Sequence, residues 1–216
     1  MKYYVASLLL FIGFVILAFL IVSNNVQVTK WDYSVFGMIN NPHSKILNKI
    51  MIDLTKYGRE EVWIATTALL FIFGKRDGRR TAALLTMAFI ILIPLGSILK
   101  DEINRHRPMP LAYENLLIKE SDPSFPSGHA VIVSAGAFIM LARFNQGKHV
   151  AISLLLVVEA LFVIYSRIYV GDHYPLDVIG GVLLGTGVSS LIVGSSKYFD
   201  PIFSRLDSIG KKNSSS

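Results

Sequence analysis

Six apolar runs, several of them near the roughly 20 residues that cross a bilayer as a helix, leave this chain few folds to choose from. They extend from about Val5 to Val22, Glu61 to Phe73, Thr81 to Leu99, Ser127 to Ala142, Val150 to Tyr165 and Leu176 to Gly194. Inside hydrocarbon the backbone has no water to bond, so such runs are stable as helices that pair their own N–H and C=O groups. Composition agrees: charged residues make up 17% of the chain, against about 25% in soluble domains, and the mean hydropathy is +0.52. The expectation is one all-α membrane domain over residues 1–216, a bundle of six transmembrane helices with a polar tail at 197–216. The first run follows Lys2 as a signal peptide would. It exceeds the usual apolar length of about 7–15 residues and lacks a small-x-small cleavage site, so it reads as an uncleaved span.

Between the first two runs, Ile46, Leu47, Ile50, Met51 and Leu54 recur at helical spacing, with Lys45, Lys49 and Lys56 elsewhere on the same turns. This predicts an additional helix, started by Asn41-Pro42 and ended by Gly58, that lies in the membrane interface or packs against the bundle. In the last run, Gly181 and Gly185 form a small-xxx-small pair that lets helix backbones approach closely. The net charge of +6 resides mostly in short loops between apolar runs, which points to membrane topology and to no nucleic-acid partner. Cysteine is absent, so disulfides and thiolate chemistry are excluded.

Three polar strings sit at the ends of these runs: Lys100 with Arg107-Pro108, Pro126-Ser127-Gly128-His129, and Ser166-Arg167 with His173 and Asp177. Span parity places the end of the third run, the start of the fourth, the end of the fifth and the start of the sixth on one membrane face. All three strings therefore converge. On the opposite face, Lys75, Arg76, Arg79 and Arg80 are set against Asp77 alone, and Arg143, Lys148, Lys2 and the basic tail join them. The positive-inside rule makes that face cytoplasmic, with both termini, and puts the site at the outer surface.

The converging residues suit phosphate. Lys100, Arg107 and Arg167 supply cations, and arginine's planar fork can donate two hydrogen bonds to phosphate oxygens. The amides of Ser127, Gly128 and His129 open a helix, where anions bind, and Gly128 allows the backbone to come close. Taken singly, Arg107 and Arg167 could instead be snorkelling to the interface. His173 and Asp177 are four apart across Pro175, so the carboxylate could orient the imidazole and leave its other nitrogen free to attack phosphorus. His129 could then protonate the leaving oxygen. Acidic residues near the site look few and no metal-site spacing appears: His106 reads as a loop residue, and His43 and His149 as solvent-facing or interfacial. Glu159 stands alone in the fifth run and is expected to face the bundle interior, paired or protonated.

As a set, the strings identify the chain as a member of the type 2 phosphatidic acid phosphatase superfamily, the lipid phosphate phosphatases. The family's lysine, six residues, Arg-Pro pattern is matched by Lys100 to Arg107-Pro108, its Pro-Ser-Gly-His by Pro126 to His129, and its Ser-Arg, five residues, His, three residues, Asp by Ser166 to Asp177. The resemblance implies that His173 forms a phosphohistidine, that Asp177 orients it and that His129 protonates the leaving group. By the same resemblance Lys100, Arg107, Ser127, Gly128 and Arg167 bind the phosphate, with no metal or other cofactor. Small size and short loops resemble the bacterial and archaeal enzymes acting on phosphatidylglycerol phosphate, phosphatidic acid or polyprenyl diphosphate. The implied partners are the lipid substrate and the bilayer, with no obligate protein partner. Transfer of the phosphoryl group to another lipid would use the same residues. Non-hydrolytic transport would instead call for polar groups near the membrane midplane, where Glu159 is the main candidate.

Overall fold

The computed structural model describes residues 1–40, 44–108, 116–199, 201 and 203. Eight α-helices carry these residues: α1 (Lys2–Val22), α2 (Val26–Asn40), α3 (Lys45–Tyr57), α4 (Glu60–Phe73), α5 (Lys75–Ile103), α6 (Gly128–Arg143), α7 (Val150–Tyr169) and α8 (Pro175–Gly194). The all-α expectation holds, and each of the six apolar runs is a helix. Four of them, α1, α5, α7 and α8, are long and apolar enough to cross a membrane. α4 has 14 residues and α6 has 16, so the count of six spans is not fixed by length.

Several helices outrun their apolar stretches. α5 starts at Lys75 and takes in the basic residues expected in a loop; it ends at Ile103, where Asn104 adopts a left-handed conformation at φ 47°. α7 continues past Tyr165 through Arg167 to Tyr169. Arg167 is thereby held by a helix and buried, with 1% of it exposed, which rules out snorkelling for this residue.

α8 is the central helix and α1 a peripheral one, since 72% and 17% of their apolar windows are buried. In lipid, apolar surface gives no reason for helices to associate, so close van der Waals contact must supply it. α8 achieves this against α6 through Gly181 and Gly185: a Cβ on Gly185 would lie 2.2 Å from the Val131 carbonyl oxygen. Gly136 on α6 similarly receives the Trp63 indole from α4. The small-xxx-small reading of the sixth run is thus the α6–α8 contact itself.

α3 resolves the alternative left open by its sequence. Ser44 caps it by accepting a hydrogen bond from the Leu47 amide; Asn41-Pro42, the expected start, lies outside the described residues, as do His43 and most of the polar tail. Met51 and Thr55 are buried, with Met51 packed against Tyr169 and Val170 at the end of α7. The helix is seated on the bundle while Ile46 and Ile50 stay exposed. The helix α2 has no counterpart among the sequence expectations. Its pattern is masked by Thr29, Lys30, Asp32 and Asn40, two of which turn out to be buried polar groups.

Candidate active site

The ends of α5, α6, α7 and α8 meet at one end of the bundle, as span parity requires, and the segment 116–124 folds over them. Two backbone bonds fix that segment: the Leu117 amide donates to the Val170 carbonyl at 2.9 Å and the Ser124 amide to the Arg105 carbonyl at 2.8 Å. It delivers Glu120 and Asp122 to the cations.

The result is a nearly self-neutralised cluster. Lys100 is paired with Asp122. Arg107 donates to Asp122 Oδ1 at 2.6 Å, Glu120 Oε2 at 2.8 Å and Asp172 Oδ2 at 2.6 Å. Arg167 donates to Glu120 Oε1 at 2.9 Å and to the Thr55 hydroxyl at 2.5 Å, and it is also paired with Asp172. Three cations, two from the first string and one from the third, are therefore stitched together by shared carboxylates. The expectation of few acidic residues near the site is corrected: Glu120, Asp122 and Asp172 all enter it, because chain distance says little about where a folded-back loop arrives. Burial pulls Asp122 upward, but Lys100 and Arg107 outweigh it and hold the carboxyl at about 2. For Asp172 burial prevails over Arg167 and Arg107 and the pKa is raised.

His173, 1% exposed, lies at the centre. Its Nε2 is 3.3 Å from both Arg107 Nη1 and Asp172 Oδ2, so this nitrogen faces the cations. Its Nδ1 is 3.6 Å from Asp177 Oδ2, beyond hydrogen-bond distance, and has no hydrogen-bond partner among the described residues. Burial, reinforced by Arg167 and Arg107, pushes His173 well below the usual histidine range. That environment disfavours the charged form of the ring. Asp177 occupies the first turn of α8 behind Pro175 and accepts from the Tyr174 amide at 2.8 Å through Oδ2, closing that helix end.

His129 stands on the first turn of α6, with Nε2 3.0 Å from the Thr55 carbonyl oxygen and Nδ1 3.4 Å from Arg59 Nη1. The Ser127 amide, expected to face an anion, instead donates to the Asp177 carbonyl at 3.0 Å and ties α6 to α8. Its buried hydroxyl has no partner among the described residues. A Cβ on Gly128 would meet only Arg59 at 3.7 Å, so protein packing does not demand glycine there. Sequence reasoning also missed Arg59, Thr55, Arg105 and Asp32; the only signals were the nearness of Arg105 to Arg107 and an acid at Asp32 amid apolar neighbours.

Among the described residues, Glu120, Asp172 and His173 bring one ligand atom each within 4.8 Å of one another. The donor set fits a metal poorly, because Arg107 and Arg167 already bind both carboxylates and their positive charge fills the same space. Glu159 does face inward: its Oε1 lies 3.0 Å from where a Cβ on Gly58 would stand.

A groove between α4 and α5 leads away from the cluster. Its first part, about 360 Å³, is lined by Arg59, Lys100, Asp122 and Gly128 at one end and by Trp63, Phe89 and Ile93 at the other. A second, almost wholly apolar part of about 820 Å³ shares Trp63, Ile64, Phe89 and Ile93 and continues to Ala82, Phe199 and Phe203. From Lys100 to Ala82 α5 advances about 27 Å at its usual rise, close to the roughly 30 Å of a hydrocarbon core.

Known proteins resemble this chain in sequence and in fold. An undecaprenyl-diphosphatase of Sulfolobus acidocaldarius is 42% identical over 195 residues, covering 89% of this chain and 91% of that protein. The PAP2-type phosphatidylglycerolphosphate phosphatase of Bacillus subtilis superposes with a TM-score of 0.72 at 26% identity, covering 89% of this chain and 96% of its own. LpxE of Aquifex aeolicus superposes at 0.58 with 28% identity, over 74% of this chain and 93% of its own. The PAP2 superfamily model matches residues 79–200, more than half of the chain and the stretch holding all three strings. The chain belongs to the PAP2 superfamily, as a membrane phosphatase acting on lipid phosphates.

Proposed function

We propose that the protein hydrolyses a polyprenyl diphosphate, or a phospholipid phosphomonoester of the phosphatidylglycerol phosphate or phosphatidic acid kind, through a phosphohistidine at His173 and without a metal ion. The observation that carries this reading is His173 itself: a buried imidazole whose Nε2 lies 3.3 Å from Arg107 Nη1, in a charged cluster whose Lys100 and Asp122 line the polar end of the groove. In this reading the substrate phosphate takes the places that Glu120, Asp122 and Asp172 hold around Lys100, Arg107 and Arg167. The Ser127 hydroxyl and the first amides of α6 at Gly128 add neutral donors.

Nε2 of His173 attacks phosphorus, and the bond to the leaving oxygen breaks. The Nδ1 proton turns to Asp177, whose 3.6 Å separation would shorten as the ring becomes cationic. His129, entering the step as imidazolium, gives its extra proton to the leaving oxygen and then, as neutral imidazole, takes one from the water that cleaves the phosphohistidine. Inorganic phosphate leaves and both histidines are restored. The fixed cations act where charge develops, so they can lower the barrier without a metal.

The groove supports lateral access of a lipid whose chain stays in hydrocarbon while its headgroup meets the cluster. Its length favours a single long chain, in keeping with the name of the Sulfolobus relative. We take residues 1–216 as one domain with α4 and α6 completing six spans, α3 packed at the outer surface, and both termini cytoplasmic. The basic stretch Lys75 to Arg80 opposite the site supports that orientation.

The test is phosphate release by purified protein in detergent with EDTA, using a polyprenyl diphosphate, phosphatidylglycerol phosphate and phosphatidic acid, alongside His173→Ala. Release that needs His173 and ranks the polyprenyl substrate first is expected. Release surviving His173→Ala would remove the nucleophile, and activity restored only by a divalent cation would overturn the metal-free reading.

A further inference from the structure

Arg105 lies between Lys100 and Arg107 in sequence, yet its guanidinium does not join theirs. Its Nη1 donates to Asp177 Oδ1 at 2.6 Å and its Nη2 to Asp32 Oδ2 at 2.5 Å. The guanidinium carbon sits 4.6 Å from the centre of the Tyr174 ring, and that ring is packed edge-on against Tyr33 and Phe36 of α2. Asp32, completely buried on α2, uses its other oxygen to accept the Leu176 amide at 2.9 Å. A buried carboxylate is costly unless paired and hydrogen-bonded, and α2 presents this one to the start of α8.

The arrangement bears directly on the reacting histidine. Asp177 Oδ1 is held by Arg105 and Oδ2 by the Tyr174 amide, so the carboxylate has little freedom to rotate. Oδ2 is also the atom that faces His173 Nδ1. The Leu176 amide, in the same first turn of α8, is pinned by Asp32.

We propose that Asp32 and Arg105 are positioning residues for the His173–Asp177 pair: together they clamp the Asp177 carboxylate and the first turn of α8, keeping Nε2 of His173 aimed into the cation cluster. The inference rests on the reading of His173 as nucleophile. The two side chains bond to Asp177, to the Leu176 amide and to each other, and Arg105 meets the segment 116–124 through its backbone carbonyl, which a side-chain substitution leaves in place, so the clamp serves the chemical step and not phosphate binding.

The experiment compares Arg105→Gln, Arg105→Lys, Asp32→Asn and the Asp32→Asn/Arg105→Gln double variant with the unaltered full-length protein and His173→Ala. Each is assayed for kcat and for the competitive Ki of inorganic phosphate. Misaiming a reacting atom by an ångström costs on the order of 100-fold, so kcat of Arg105→Gln should fall by about that factor. Ki should stay within about threefold, because Lys100, Arg107 and Arg167 are untouched. Arg105→Lys should recover little, since one ammonium cannot bridge two carboxylates in the guanidinium's geometry. If the two residues act as one unit, the double variant should be no slower than the slower single one. Should Arg105→Gln fail to fold, Asp32→Asn carries the same comparison, as its amide oxygen can still accept from Leu176. A kcat within about threefold of the unaltered protein, or a Ki that rises in step with the loss of kcat, overturns the proposal. Activity retained by His173→Ala sinks the nucleophile reading instead, and with it the premise of the clamp.

Discussion

Replacing Asp122 with Asn should tighten the hold on inorganic phosphate, because it removes a carboxylate that competes for Lys100 and Arg107. The size of the competition can be bounded. Asp122 is held at about 2 against an ordinary 3.8, a difference of roughly two units at 1.36 kcal/mol each, or at most about 2.5 kcal/mol. Its side chain is 49% exposed, so solvent screening reduces this to about 1 kcal/mol. That corresponds to about a fivefold lower Ki for inorganic phosphate. The measurement is product inhibition of phosphate release at neutral pH for the unaltered protein and Asp122→Asn, repeated at high salt, where the difference should shrink. An unchanged or higher Ki would show that Asp122 helps to build the phosphate site and does not stand in for the substrate. The pH sign is also set: the pKa is depressed, so the ion pair's contribution to stability is complete above about pH 4 and is lost as pH falls through about 2.

Other consequences can be measured independently. His173 is depressed by burial and by Arg167 and Arg107, so its contribution to stability is complete above about pH 6.5 and declines as pH falls below it, while the unfolded chain takes up the proton. Thermal unfolding in detergent should therefore weaken from pH 7.5 to 5.5, and less so in His173→Ala. Gly185→Ala should lower the unfolding temperature, since its Cβ would stand 2.2 Å from the Val131 carbonyl and 2.5 Å from the Ser134 hydroxyl, an overpacking cost of about 1–3 kcal/mol. An unchanged transition would mean that α6 and α8 do not need this close approach. Ala83→Trp, in the apolar reach of the groove, should raise KM more for a long polyprenyl diphosphate than for a short-chain analogue. Equal effects on both would place the chain elsewhere.

The paired state of the cluster explains how so many charges coexist beside a membrane. Three cations without counter-ions would each bear a large desolvation cost, and Glu120, Asp122 and Asp172 offset it. Under the function proposed above, a ligand must offer enough negative charge to displace these carboxylates, as a phosphate ester or diphosphate would and a neutral lipid would not.

Local chemistry and span parity were legible in the order of residues. Apolar runs dictate helices because the bilayer leaves backbone groups no other partner. The positions of Lys100, Arg107, Arg167 and His173 at or just beyond the ends of those runs dictate that they meet. Gly181 and Gly185 mark a close helix contact, since only small residues permit one. The counter-ions and the supports were settled by the assembled fold. Glu120 and Asp122 arrive on a loop whose path depends on hydrogen bonds to Val170 and Arg105, distant in sequence. Thr55 comes from α3, whose periodicity marks an apolar face but not the partner it meets at the end of α7, and Asp32 comes from α2, whose polar residues hide any periodicity. The direction of Arg105, away from its neighbour Arg107 and towards two buried carboxylates, is set by where α2 and α8 place those charges, and that is a property of the whole bundle.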